Sequence, residues 1–312
     1  MNILITGVHG FVGSNLVFVL SKQHNVYGLD IISPQKDGIL KTFGWNELEQ
    51  ISSIDLIIHL AGKAHDTKNL SDAQVYFDIN TGLTKKIFDW FLASNAKKFI
   101  FFSSVKAAAD HVEGDVLTED ILPNPKGPYG ESKILAEKYI LSQSLPTNKK
   151  VYILRPCMIH GPGNKGNLNL LYKLVQKGLP WPLGAFKNRR SFTSIDNLTY
   201  IIGQLIEREI EPGIYQVGDD EALSTNELIR LIGAAQNRES KIWKLPKKLI
   251  GLMAKIGDTL HLPLNSERLK KLTESYVVSN QKIKNALGID KMPVTAEEGL
   301  KKTLESFQKV LN

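Results

Sequence analysis

Apolar residues in the first half of the chain fall into short unbroken runs. Longer stretches, in which apolar positions recur every three or four residues, separate them. The runs are residues 2–6 (NILIT), 25–30 (NVYGLD), 55–60 (DLIIHL), 98–103 (KFIFFS) and 150–155 (KVYILR). Each is rich in Val, Ile, Leu or Phe and bounded by polar residues or glycine, the pattern of strands buried on both faces. The periodic stretches predict helices at about 11–22, 71–94 and 128–144. Strand–helix alternation builds right-handed βαβ units around a parallel sheet. The expected fold is α/β: a Rossmann-type doubly wound parallel sheet with a smaller, mostly helical substrate domain.

The rhythm changes after Pro156. A Gly/Pro/Asn-rich stretch, HGPGNKGN, precedes a helix at about 167–177 and the turn-rich segment GLPWPLGAFKNRR. A run at 214–217 (IYQV) suits one more strand of the sheet. The remainder reads as mostly helical, with Ser224-Thr225-Asn226-Glu227 as a capping signal before LIRLIGAA. The chain therefore divides into a nucleotide-binding Rossmann domain at 1–165, a substrate-domain segment at 166–190, a return to the first domain at 191–218 and a substrate-binding domain at 219–312.

Composition narrows the class. The chain has 312 residues, 42% apolar and 23% charged, ordinary for a globular protein. A single cysteine, Cys157, excludes an intramolecular disulfide and fits a reducing, cytoplasmic setting. MNILITGVHG opens directly on a strand pattern, and we read no signal peptide in it. No apolar run reaches the roughly 18 residues of a membrane span. Residues 246–258 (PKKLIGLMAKIGD) come nearest to a membrane-surface helix, although a helix packed on its own domain is the favoured reading. The formal charge of +7 comes from lysines scattered along the chain, without an Arg-rich stripe interleaved with aromatics. Nucleic acid is therefore not an expected partner, and a solvated surface with a bias towards phosphate-bearing ligands is.

Between the first strand and the first helix stands TGVHGFVG, with Gly7, Gly10 and Gly13 spaced G-x-x-G-x-x-G. The first glycine permits a tight turn, the second a close approach of pyrophosphate, and the third close packing of helix on strand. The helix N-terminus, opening on Phe11 and Val12, offers N–H groups and a positive dipole end to phosphate. Asp30 ends the second strand, where a carboxylate accepts from a ribose diol and repels a 2′-phosphate. NAD is the expected cofactor; one nearby Arg or Lys would admit NADP.

A second constellation carries chemistry. In YGESK, Tyr129 and Lys133 are four residues apart, on one face of a helix. An ammonium beside a phenol stabilises phenolate and is expected to lower the Tyr pKa, which suits proton transfer with a sugar hydroxyl. Ser104 ends the fourth strand, at the edge where such sheets bind ligands.

TGVHGFVG, IIHLAG, Asn80 in DINTG, FFSS, YGESK, RPCMIHGPG and RRSFTSIDN together resemble the extended short-chain dehydrogenase/reductase family, of NAD-dependent epimerase/dehydratase type, over essentially the whole chain. The resemblance implies cofactor binding by the glycine loop, Asp30, Leu60, Ala61 and Gly62, with Asn80 and Pro156 near the cofactor. It implies Ser104, Tyr129 and Lys133 as the catalytic set, the latter two also touching the cofactor. The segment from RPCMIHGPG to SFTSIDNL looks like a bacterial surface-polysaccharide branch. That branch holds UDP-N-acetylhexosamine 4-epimerase-like proteins and reductases of UDP-4-keto-6-deoxy-N-acetylhexosamine. Asn167, Arg190 and, on a weaker alignment, Arg268 match positions that hold a UDP diphosphate in relatives; an Arg fork suits phosphate. In this family the helix after Asn80 and the helix carrying Tyr129 pair across a homodimer. IFDWFL at 87–92 offers apolar surface for that, or for packing on the sheet.

Departures bear on the sugar pocket. VKAAAD follows Ser104 where relatives carry a VYG- or VNG-like loop, and His160 stands where Tyr is common. A 4,6-dehydratase, which commonly needs Asp-Glu after the catalytic hydroxyl, is disfavoured by Val105 and Lys106. His59 and His65 lack a third ligand at convincing spacing, so no metal is expected. The first expectation is a 4-keto reductase of a UDP-deoxy-sugar using free NAD(P)H. The alternative is a C4 epimerase with tightly held NAD, and the remote one a non-catalytic dinucleotide sensor.

Overall fold

The computed structural model describes residues 1–63, 72–164, 166–260 and 264–311. In chain order its strands are β1 (Asn2–Thr6), β2 (Asn25–Leu29), β3 (Lys41–Phe43), β4 (Leu56–His59), β5 (Lys98–Phe102), β6 (Lys150–Pro156), β7 (Met158–His160), β8 (Phe192–Ser194) and β9 (Gly213–Val217). The helices are α1 (Phe11–Leu20), α2 (Ala73–Tyr76), α3 (Leu83–Ala93), α4 (Val105–Ala108), α5 (Pro128–Ser142), α6 (Asn167–Gln176), α7 (Ile195–Glu207), α8 (Thr225–Ala235), α9 (Lys247–Leu260), α10 (Ser266–Thr273), α11 (Gln281–Leu287) and α12 (Ala296–Leu311). Residues Phe77–Gly82 join α2 to α3 as a π-helix.

Seven strands form one parallel sheet in the order β3-β2-β1-β4-β5-β6-β9; β7 and β8 form a separate parallel pair. The expected α/β sheet is present, and 214–217 does close its edge. The five apolar runs become strands because most residues in them are buried, as a sheet covered on both faces requires. On one face α1, α7 and α11 pack around Leu16, Val17, Leu198, Ile202, Ile283 and Leu287. Thus α11 covers the sheet although it belongs by position to the C-terminal segment. On the other face α3 and α5 pack around Ile87, Phe88, Phe91, Ala136 and Ile140. Phe88, Phe91 and Phe99 make tilted and edge-on ring contacts 5.1–5.6 Å between centroids. The apolar residues of IFDWFL are therefore largely spent on the sheet.

A third cluster lies beyond the sheet, built from Leu168, Tyr172, Trp181, Ile229, Ile232, Ile250, Leu300 and Leu304. Helix α8 begins at the capping box read from the sequence: Ser224 Oγ accepts from Glu227 N (3.1 Å), and the Glu227 carboxylate accepts from Ser224 N (2.6 Å). No helix among the described residues is long and apolar enough to cross a membrane.

Candidate active site

β1 and β4 are neighbours whose crossovers lead to opposite sides of the sheet, so a crevice opens at their carboxyl ends. The glycine loop lies there. Gly7 has φ +66°, and a Cβ on it would stand 3.0 Å from the Ala61 backbone across the crevice. A Cβ on Gly13 would stand 2.5 Å from the Gly7 carbonyl oxygen, so α1 starts this close to the loop only without a side chain. Gly10 is the N-cap of α1 and supplies no side-chain cap to the first-turn N–H groups of Phe11, Val12 and Gly13. Such a cradle fits a pyrophosphate.

The Asp30 carboxylate borders that cradle. It accepts from His9 N in the loop (3.0 Å) and from Ile31 N (2.8 Å). Lys36 reaches back to Ser14 in the first turn of α1, donating from Nζ to Oγ (2.6 Å). Leu60, Ala61 and Gly62 leave β4 along the far wall, where Ala61 N donates to Thr6 Oγ1 (2.9 Å). A Cβ on Gly62 would meet Asn80 Oδ1 at 2.8 Å and Lys133 Nζ at 3.1 Å. The missing side chain there leaves room for the lysine. Pro156 ends β6, buried.

Ser104 caps α4 at the end of β5, its Oγ accepting from Lys106 N (3.2 Å). Helix α5 starts with Pro128 at its first position after Gly127, whose N–H is held by the Glu131 carboxylate (3.0 Å). This start puts Tyr129 beside Ser104, and the two hydroxyls are hydrogen-bonded. The Tyr76 ring stands edge-on to Tyr129, 6.3 Å between centroids. One turn further, Lys133 donates from Nζ to the Phe102 carbonyl (2.9 Å). Ser104, Tyr129 and Lys133 thus border one site with Gly62 and Asn80.

One electrostatic expectation is corrected. Tyr129 is not lowered: burial raises its pKa, and the Ser104 hydrogen bond only partly offsets this. Lys133 is itself pushed down to about 8 by burial, against the pull of Glu137. Burial penalises both charged forms and is the largest influence on each group.

Several supporting contacts escaped the sequence reading, those of the expected Asn80 among them. Glu137 and Arg155 form a buried ion pair through Nε (2.9 Å) and Nη2 (2.5 Å), and the same carboxylate accepts from Ser103. Asn80, in the π-helix, binds Lys63 N (2.8 Å), the Lys63 carbonyl (3.2 Å) and Ser132 Oγ (2.9 Å). Its amide therefore ties the segment after β4 to α5. Gly130 lies against the Lys106 carbonyl, where a Cβ would approach to 2.5 Å. Polarity and spacing gave no signal for these pairs, whose members are remote in sequence.

His59 is fully buried between the hydroxyls of Thr6 (2.6 Å) and Thr84 (2.9 Å), and burial holds its pKa well below the usual value. His65 lies outside the described residues. His160 contacts Thr303 Oγ1 (2.9 Å) and Asp219 (3.5 Å) in a buried cluster.

Arg190 bridges by its backbone to Leu223 and Tyr276, and its Nη1 donates to the Lys271 carbonyl (2.6 Å). Its charge reaches Lys106, whose ammonium lies 4.4 Å from the Tyr276 ring centroid. The Tyr276 hydroxyl in turn donates to the Ala109 carbonyl (2.7 Å), fastening the Ser104 turn to this second wall. Asn167 is the first residue of α6, after the N-cap Gly166, and Arg268 lies exposed on α10.

Residues 3–218 match the family described as Epimerase, NAD dependent epimerase/dehydratase family. The chain is 31% identical to UDP-glucose 4-epimerase of Vibrio cholerae, over 100% of this chain and 97% of that protein. It is 25% identical to the N-acetyl-alpha-D-glucosaminyl-diphospho-ditrans,octacis-undecaprenol 4-epimerase of Escherichia coli O157:H7, over 97% of this chain and 94% of that one. The solved structure of MoeE5 in complex with UDP-glucose and NAD shares the fold, with TM-score 0.78, 21% identity and full coverage of both chains.

Proposed function

Because the chain belongs to the NAD dependent epimerase/dehydratase family, we propose that it inverts C4 of a UDP-sugar with NAD held in the glycine-loop crevice. The observation that carries this is the hydrogen-bonded Ser104–Tyr129 pair above Lys133, at the mouth of a cradle shaped for pyrophosphate. Nicotinamide bound there supplies a hydride acceptor and donor. Acting as phenolate, its own proton released to solvent on ionisation and its charge favoured by the Lys133 ammonium one turn along, Tyr129 takes the proton from the C4 hydroxyl and later returns it. Ser104 hydrogen-bonds the same oxygen, and Lys133 orders the site through its charge. Asp30 favours NAD over NADP. Arg190 and, beside it, Lys106 hold the diphosphate; Asn167 and Arg268 extend that contact.

The order of the two C4 readings reverses here. The relative that is 31% identical along the whole chain is a UDP-glucose 4-epimerase, which favours epimerase. A 4-keto reductase would use the same residues with exchangeable NADH. The test is the cofactor state of the purified protein with UDP-glucose and UDP-N-acetylglucosamine. Co-purifying NAD and interconversion of C4 epimers without added cofactor support the reading. Stoichiometric NADH consumption with a 4-keto-sugar, and no epimerisation, would replace it by the reductase. We place the enzyme in the cytoplasm, as a homodimer through α3 and α5, where Leu135 and Leu141 stay exposed. Light scattering showing only monomer at micromolar concentration would refute the dimer.

A further inference from the structure

Charge is less evenly spread than the sequence reading held. Residues 241–271 carry eight basic and two acidic side chains, +6 of the chain's formal +7. They include α9 and α10, which pack together. Helix α9 does pack on its own domain, through Ile250, Ala254 and Gly257. It also has a second apolar face that stays exposed among the described residues. Leu249, Leu252, Met253, Ile256 and Leu260 are each 46–63% exposed. At 100° per residue these five fall within one stripe about a third of the circumference wide. Lys248 and Lys255 border that stripe on its solvent side, and Trp243 is exposed just before the helix. Both acids of the segment are engaged: Asp258 accepts from Ser266 N (2.9 Å), and Glu267 pairs with Lys271 (2.6 Å).

We propose that α9, with α10 beside it, docks the protein on an anionic phospholipid surface. The five apolar side chains enter the boundary between headgroups and acyl chains, and the lysines of the segment meet the headgroup phosphates. An amphipathic helix of this composition binds in the plane of a bilayer rather than across it. A second copy of the chain is the poorer occupant. Pairing this face with itself about a two-fold axis would bring two segments of +6 together, whereas anionic lipid complements them. The surface is linked to the candidate site, because Arg190 donates to the Lys271 carbonyl of α10.

The test is co-sedimentation of the full-length protein with vesicles of phosphatidylglycerol and phosphatidylcholine, and with phosphatidylcholine alone. Wild type should partition at least about tenfold more strongly onto the anionic vesicles, with the excess lost at high salt. The double variants Leu252→Glu/Ile256→Glu and Lys248→Gln/Lys255→Gln should each reduce partitioning about tenfold or more. Thermal unfolding and turnover of soluble UDP-sugar should stay unchanged, since all four residues are on the outer face. Absence of wild-type binding to anionic vesicles overturns the proposal, as does undiminished binding by both variants. A dimer that dissociates in the Leu252→Glu/Ile256→Glu variant, without vesicle binding by wild type, assigns the face to a second copy instead.

Discussion

Lys133 is buried, and this single residue is expected to set a pH dependence. Burial pushes it from 10.5 down to about 8, while the Glu137 carboxylate one turn along pulls it up. For stability, a lysine whose folded pKa is depressed costs most below about 8, and that cost is relieved as pH rises towards 10.5. For activity the sign is opposite, because the ammonium is the working form. We expect kcat/KM to fall as pH rises through about 8. In Glu137→Gln, whose amide oxygen still accepts from Arg155, that limb should move to lower pH. A limb that stays in place, or moves up, would show that Lys133 does not control it. Asp30 gives a second residue-scale expectation. Its carboxylate is held against the glycine loop by His9 N and Ile31 N, with Lys36 close by at Ser14. Asp30→Ala should weaken NADH binding and improve relative binding of NADPH, because it removes an acceptor and a repulsive charge while Lys36 remains. Fluorescence titration with both cofactors measures this; an unchanged preference would place the ribose elsewhere. The Asp30 effect was legible in the sequence; the pH limb set by Lys133 was not. The YGESK spacing located Tyr129 and Lys133, but the sign of the Tyr129 shift depends on burial, which spacing does not encode.

Among elements, the contact between α4 and α5 is the one that sets Tyr129 beside Ser104. Gly130 lets the first turn of α5 lie against the Lys106 carbonyl, and a Cβ there would also stand 2.9 Å from Pro125 Cβ. Gly130→Ala would place a methyl group 2.5 Å from that oxygen, so helix and turn must separate. Overpacking of this kind costs about 1–3 kcal/mol. The separation should also lengthen the Ser104–Tyr129 hydrogen bond. We expect kcat to drop by roughly a hundredfold, with cofactor affinity within a few-fold of wild type. Wild-type kcat in a folded Gly130→Ala protein would mean that the contact does not set the geometry. The elements legible in the sequence are those with a strong period. β1, β4, β5 and β6 are continuous apolar runs because both faces are covered, and α8 announces itself through Ser224 and Glu227. Edge strand β3 is three residues long, too short for a pattern. Helix α7 went unread although Leu198, Ile201, Ile202 and Leu205 recur at helical spacing; only its first three residues fall in the RRSFTSIDN motif. The π-helix at 77–82 looks like ordinary helix in sequence; what makes it distinct is the buried amide of Asn80 tied to Lys63 and Ser132.

At the scale of the molecule, two walls meet over the sheet's carboxyl ends. One carries the glycine loop and α5; the other is assembled from Arg190, Leu223 and Tyr276, which no local pattern joins. Arg190 keeps guanidinium donors beyond the one given to the Lys271 carbonyl. A diphosphate held by such a fork is remote from C4, so Arg190→Ala should raise KM by roughly ten- to a hundredfold and change kcat less. Steady-state kinetics decide this: an unchanged KM with a reduced kcat would make Arg190 a structural residue. The central claim is that both walls serve hydride transfer at C4, and an isotope follows it most directly. The protein is incubated with UDP-glucose carrying deuterium at C4, and the nicotinamide and the sugar products are analysed by mass spectrometry and NMR. The account predicts that deuterium reaches the nicotinamide ring and returns to C4 in the epimerised sugar, and that Tyr129→Phe binds cofactor but transfers none. Epimerised sugar whose C4 deuterium is washed out into water, or equal transfer by Tyr129→Phe, would contradict it.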